Sequence, residues 1–125
     1  MMLAGINGFL AVALGAFGAH GLKKSLADLP DAAQRLEWWE TASRYHLVHA
    51  LALGLAAYLV GKVDWSGTTW TGWAFQVGII LFCGSLYIMT LTGYRALGAV
   101  TPLGGLGLLA GWLLVVLGAL KWPAS

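Results

Sequence analysis

Apolar residues dominate four stretches of this chain, and polar or charged residues collect in the segments between them. The first stretch, Met2 to Leu22, has no charged residue and is about 31 Å long as a helix, enough to cross a bilayer's hydrocarbon. The second, residues 41–61, begins with charged and imidazole side chains and continues through Leu, Ala, Val and Gly. The third, 72–93, carries scattered polar groups, and the fourth, 101–121, is rich in Gly and Leu. Between the first two lies the only long polar segment. There Pro30 and Asp31 suit the start of a helix, which reads as a surface helix over 31–40 running into the second span. Thr101-Pro102 reads as N-cap and first helical residue of the fourth span, and Pro123 as its end. The pattern predicts an all-α, integral-membrane four-helix bundle with a short interfacial helix between the first and second spans. Residues 1–125 form a single transmembrane domain.

Composition strengthens this reading. The chain is 59% hydrophobic and 10% charged, more apolar surface than a soluble domain of 125 residues can bury. A net charge of +2 is too small to suggest nucleic acid, and the single cysteine, Cys83, cannot form an internal disulfide. No basic residue precedes the first apolar run, as a cleavable signal would require, so that run is expected to remain as a span. Trp38 and Trp39 mark one membrane interface, and Trp65, Trp70 and Trp73 the other. Lys23, Lys24, Arg35, Arg44 and Arg95 fall at the first interface, against Lys62 and Lys121 at the second. The first should therefore be cytoplasmic and both termini extracytoplasmic, in an inner (plasma) membrane.

The second span holds the candidate chemistry. At about 100° per residue, Ala42, His46, His49, Ala50, Leu53, Ala56 and Ala57 share one face, and Leu47, Val48, Leu51, Leu55, Tyr58 and Leu59 the other. A face of small residues suits a neighbouring helix, so both imidazoles are expected to point into the bundle. His20 lies near the same membrane face, at the end of the first span. With Glu40, Arg44, Tyr45 and Arg95 nearby, these histidines form a candidate buried polar cluster. Three imidazoles are enough to ligate zinc or copper, and two to ligate haem. No HExxH or CxxCH motif accompanies them, and packing histidines are the preferred reading, so no metal or cofactor is assigned. Glu40 and Arg44, four apart, read as an interface ion pair. On the third span Gln76, Cys83, Tyr87, Thr90 and Tyr94 line one stripe and Gly78, Ser85 and Thr92 another, so this helix should be covered on two sides. Gly104, Gly111 and Gly118 repeat every seven residues as a close-packing face, and mid-span Trp112 should pack. No Ser/His/Asp triad is legible, and no catalytic residue is assigned.

Four motifs carry a family resemblance: GAFGAHGLK (15–23), TASRYHLVHALAL (41–53), GSLYIMTLTG (84–93) and TPLGGLGLLAGW (101–112). The chain resembles the small membrane family known as domain of unknown function 423, with its YgdD/YwdK-like bacterial inner-membrane proteins and small eukaryotic transmembrane relatives. The resemblance implies a four-helix integral membrane protein and no reaction. Two function classes follow. The leading one is a non-enzymatic membrane protein acting through helix packing, assembly or partner binding. Its Gly/Ala faces would offer a homo-oligomer contact within the lipid bilayer. The alternative is a small transporter or channel using His20, His46 and His49 for protons or solute, with a metal or haem binder ranked below it.

Overall fold

The computed structural model describes residues 1–122, and the expected helix stop at Pro123 lies outside them. All regular structure among the described residues is helical. Helix α1 spans Met2–Ser25, α2 Ala32–Val60, α3 Gly67–Thr92 and α4 Thr101–Ala119. A short 3₁₀ turn, Arg95–Ala99, links the last two. This is an all-α membrane bundle. Three segments, Met2–Ser25, Gly67–Thr92 and Arg95–Ala119, are long and apolar enough to cross a membrane. Helix α2 falls short of that measure because Arg44, His46 and His49 interrupt its apolar half.

Local sequence explains the boundaries. Asp31 sits at the N-cap of α2, but its carboxylate accepts from Arg35 instead of capping the backbone. From Ala32 the helix runs without a break, so the surface segment and the second span are one 29-residue rod. Helix α3 ends at Gly93, whose φ of 75° is the left-handed conformation that glycine adopts freely. A Cβ there would also collide with the Arg35 guanidinium. At α4 the helix begins one residue earlier than the Thr-Pro motif suggests. Val100 is the N-cap, and the Thr101 hydroxyl instead meets Ser85 Oγ at 2.7 Å.

Helix α1 contains one irregularity, a π turn over Gly18–Leu22. Its cause is visible next to it. The Trp39 indole lies where a Gly18 side chain would be, and its N–H donates to the Leu14 carbonyl at 2.8 Å. A side chain that competes for a helix's own carbonyls loosens the turn that follows. Trp39 also meets Phe17 and Tyr87 edge-on, which ties α1, α2 and α3 together near the membrane surface.

Helices α2 and α3 form the centre, with α1 packed chiefly on α2 and α4 chiefly on α3. Nearly half of the α3 span is buried (44%), against 11% for α1 and 17% for α4. The core is built on Phe75, Ala42, Ala56, Cys83 and Leu108. The α3–α4 seam depends on glycine. A Cβ on Gly104 would strike the Phe82 backbone, one on Gly107 would lie 3.2 Å from Gly78 Cα, and one on Gly111 would lie 2.5 Å from the Phe75 ring. Gly118 departs from the expected heptad, since its nearest neighbour, Trp65, would lie 3.8 Å away in ordinary contact. Here the seam has widened to admit the bulky Trp65 and Leu59. Both described chain ends lie at one end of the bundle. Met1 and Met2 border Val60 and Trp73, and Trp122 stacks on Tyr58.

Candidate functional site

Two separate polar sites occupy the membrane-spanning part of the bundle, one around each buried imidazole. On the α1 side, His46 Nε2 lies 3.1 Å from Asn7 Oδ1. The Asn7 amide donates to Gln76 Oε1 at 2.9 Å and to the Leu3 carbonyl at 2.8 Å. Both amide hydrogens are thus spent, so Oδ1 is the acceptor and His46 Nε2 carries the hydrogen. The remaining nitrogen, Nδ1, then accepts from the Tyr87 hydroxyl, at a long 3.4 Å. One chain of bonds links Gln76, Asn7, His46 and Tyr87 across three helices.

The His49 site is wired the opposite way. Its Nδ1 donates to the Tyr45 carbonyl at 2.7 Å, one turn back on the same helix. Its Nε2 accepts the Trp112 indole N–H at 3.1 Å. Indole is a donor only, so this tautomer too is assigned by its partner. Trp112 and Phe75 meet His49 with ring centroids 6.1 and 5.8 Å away, and Tyr45 stacks on it at 5.8 Å. The two imidazoles share one face of α2 yet diverge, His46 toward α1 and α3, His49 toward α4. Each has its single lone pair already engaged.

His20 does not join them. It is exposed in the π turn. The physical reason is register: Gly15 of α1 faces Ser43 and Gly18 faces Trp39, so His20 sits level with Trp38, about 12 Å along the helix axis from His46, and 13 positions, about 220° around the helix, from Asn7. Glu40 and Arg44 are exposed, and the expected ion pair between them is not formed within 4 Å. The ionic contacts among the described residues centre instead on Asp31, which meets Arg35 at 3.0 Å and Arg95 at 3.6 Å. The Arg35 hydrogen bond holds the Asp31 carboxyl below its ordinary range. Arg95 also lies over the Trp38 ring, so it belongs to this surface node and not to a buried cluster. Tyr45 is part-exposed beside Phe82 and His49.

The α3 stripe divides similarly. Gln76 and Tyr87 belong to the His46 chain. Cys83 is buried beside them, along the same cleft. The single hydroxyl hydrogen of Thr90 is shared between the carbonyls of Leu86 and Arg35, and neither imidazole bonds to it. Tyr94, beyond the Gly93 stop, is exposed. On the other side of α3, Gly78 and Ser85 face α4, while Thr92 is exposed. Sequence reasoning passed over Asn7. The available signal was its rarity, since it is the one amide in the apolar run 2–22.

Clefts flank these sites. The gap between α1 and α3 encloses about 300 Å³, lined by Asn7, His46, Gln76, Cys83 and Tyr87. A second, of about 410 Å³, lies between α2 and α4 against His49 and Trp112.

The family model described as "Protein of unknown function (DUF423)" matches residues 14–105, which include His46, His49, Gln76 and Tyr87. The chain belongs to this family. The DUF423 chain is 44% identical to the UPF0382 membrane protein YwdK of Bacillus subtilis, covering 98% of itself and 96% of that protein. It is 41% identical to a UPF0382 membrane protein of Staphylococcus epidermidis, with 98% and 95% coverage. It is 39% identical to the UPF0382 inner membrane protein YgdD of Escherichia coli, with 97% and 88% coverage. No solved structure matches it. This DUF423 chain is a small membrane protein of unestablished function.

Proposed function

We propose that this protein is non-enzymatic and works by assembly with another transmembrane helix, a second copy of itself first. The observation that carries the reading is how the imidazoles are used. Tyr87 donates to the lone pair of His46 and Trp112 to that of His49. A free imidazole lone pair is what a general base or a metal ligand needs. The polar groups of the spans therefore act as interhelical glue. The seam glycines of α4 are consumed by α3, whereas Gly5 and Gly8 on α1 have nothing within 4 Å of a Cβ position. That leaves a close-approach surface facing outward. Gly8→Leu should leave the monomer's thermal stability unchanged and lower self-association in liposomes, measured by subunit photobleaching. An unchanged stoichiometry distribution would refute assembly through this face.

A proton- or solute-handling reading is supported by one observation, the cleft that reaches His46 between α1 and α3. Its residues are Asn7, His46, Gln76 and Tyr87, without His20. A pH-dependent flux in proteoliposomes that His46→Gln abolishes would favour it over assembly.

For placement, the inner membrane with both termini extracytoplasmic is supported by Lys23, Lys24, Arg35, Arg44 and Arg95 gathering at the end opposite the termini. A C-terminal reporter active only in the cytoplasm should be silent, and activity would reverse the orientation.

A further inference from the structure

The groove between α1 and α2 has a use independent of that assembly reading. It encloses about 340 Å³ and opens to the outside of the bundle. Gly15 and Gly18 form its α1 wall, Leu47 its deep end, and Ser43, Arg44 and Glu40 its polar side. We propose that this groove binds a phospholipid with a phosphoethanolamine headgroup. The lipid phosphate lies on Arg44 and Ser43, its primary ammonium on Glu40, and an acyl chain along Leu47.

Two charges on the groove are left unpaired among the described residues. Arg35 and Arg95 are both taken up by Asp31. Among the described residues Arg44 has no carboxylate within 4 Å, and Glu40 has no cation within that distance. The two are four positions apart on one helix face and both line the groove, yet they stay unpaired.

Their order in depth is informative. Helix α2 enters from the polar surface at Ala32, so Glu40 lies about 6 Å nearer the surface than Arg44. Sixteen residues, Tyr45–Val60, separate Arg44 from the far end of the helix, about 24 Å. That puts Arg44 at the hydrocarbon margin, where a long side chain snorkels to the phosphate level. From inside outward the groove therefore presents an apolar wall, a cation and then a carboxylate. A phosphoethanolamine lipid presents the complement: acyl chain, phosphate anion, ammonium. A choline headgroup offers no N–H for Glu40, and a glycerol headgroup offers no positive charge. The hydroxyl of Ser43 has room because Gly15 faces it, with a hypothetical Cβ only 3.0 Å from Ser43 Oγ.

The test is native mass spectrometry of the full chain in detergent, titrated with dioleoyl phosphatidylethanolamine, phosphatidylcholine or phosphatidylglycerol. The wild type should retain the ethanolamine lipid about three-fold or more over the choline lipid, a modest ratio suited to interfacial charges. Glu40→Gln should erase that preference, and Glu40→Lys should transfer it to phosphatidylglycerol. Arg44→Gln should lower retention of both zwitterionic lipids. Both side chains are exposed, so folding, checked by melting temperature, should be unchanged. Equal retention of the ethanolamine and choline lipids by the wild type would overturn the proposal. So would a preference that survives Glu40→Gln.

Discussion

Replacing Asn7 by leucine should be costly, and replacing it together with its partners should cost less than the sum of the parts. Asn7 bridges His46 and Gln76 through two interhelical hydrogen bonds at 3.1 and 2.9 Å. Interhelical bonds in membranes contribute on average about 0.6 kcal/mol each, with a maximum near 1.7. Asn7→Leu therefore forfeits about 1–2 kcal/mol directly. It also strands the His46 Nε2–H beside an apolar cleft, at about 1–3 kcal/mol for an unmet buried donor. The total is about 2–5 kcal/mol. His46→Leu should cost a similar amount, since it strands Asn7 Oδ1 and the Tyr87 hydroxyl. In the double variant Asn7→Leu/His46→Leu the His46 N–H and the Asn7 Oδ1 are both gone and only the Tyr87 hydroxyl stays stranded, so the cost should fall short of additivity by about 1–2 kcal/mol. The assay is reversible unfolding in mixed detergent micelles, followed by tryptophan fluorescence and analysed as a double-mutant cycle. Strict additivity, or an Asn7→Leu variant as stable as the wild type, would refute the assigned network.

Three further outcomes follow from the same geometry. Nitrogen NMR of ring-labelled histidine should show the Nε2–H tautomer at His46 and the Nδ1–H tautomer at His49; matching tautomers would contradict the hydrogen-bond assignment. Gly104→Ala should lower stability by about 1–3 kcal/mol because its Cβ meets the rigid Phe82 backbone, whereas Gly118→Ala should be near neutral; equal melting temperatures would disprove the graded seam. The folded Asp31 carboxyl titrates lower than in the unfolded chain, so its contribution is present above the unfolded pKa and is lost as pH falls through the lowered folded value. The wild type should thus lose stability on acidification in that window more steeply than Asp31→Asn, and parallel acid profiles would remove Asp31 from the argument.

The membrane class and helical bundle were legible because uncharged runs of span length need no tertiary information to interpret. The inward face of α2 was legible from the small residues that flank His46 and His49. Partners were not. Wheel angles locate a face but not which neighbour meets it, so two histidines three positions apart looked like one site and are two. His20 was matched by membrane end alone, and the register of α1 on α2 leaves it level with Trp38, short of both imidazoles. Glu40 and Arg44 had a spacing that permits pairing, but spacing does not decide where two exposed rotamers settle. Asn7 was visible as an anomaly in an apolar run, whereas its role required knowing that α3 brings Gln76 to the same depth. The π turn at Gly18 had no signal of its own, since it depends on an indole contributed 21 positions later.

That α2 alone falls short of the apolar measure for crossing a membrane has a consequence for how the chain is made. A segment carrying Arg44, His46 and His49 partitions poorly into lipid while those groups lack partners. Its partners arrive at different times during synthesis: Asn7 is already in place on α1, and Tyr87 and Trp112 emerge later on α3 and α4. The second helix is therefore expected to enter the bilayer efficiently only alongside α1 and α3. Truncation after α2 should leave a chain that inserts inefficiently, and each residue that wires the finished bundle doubles as a condition for its biogenesis.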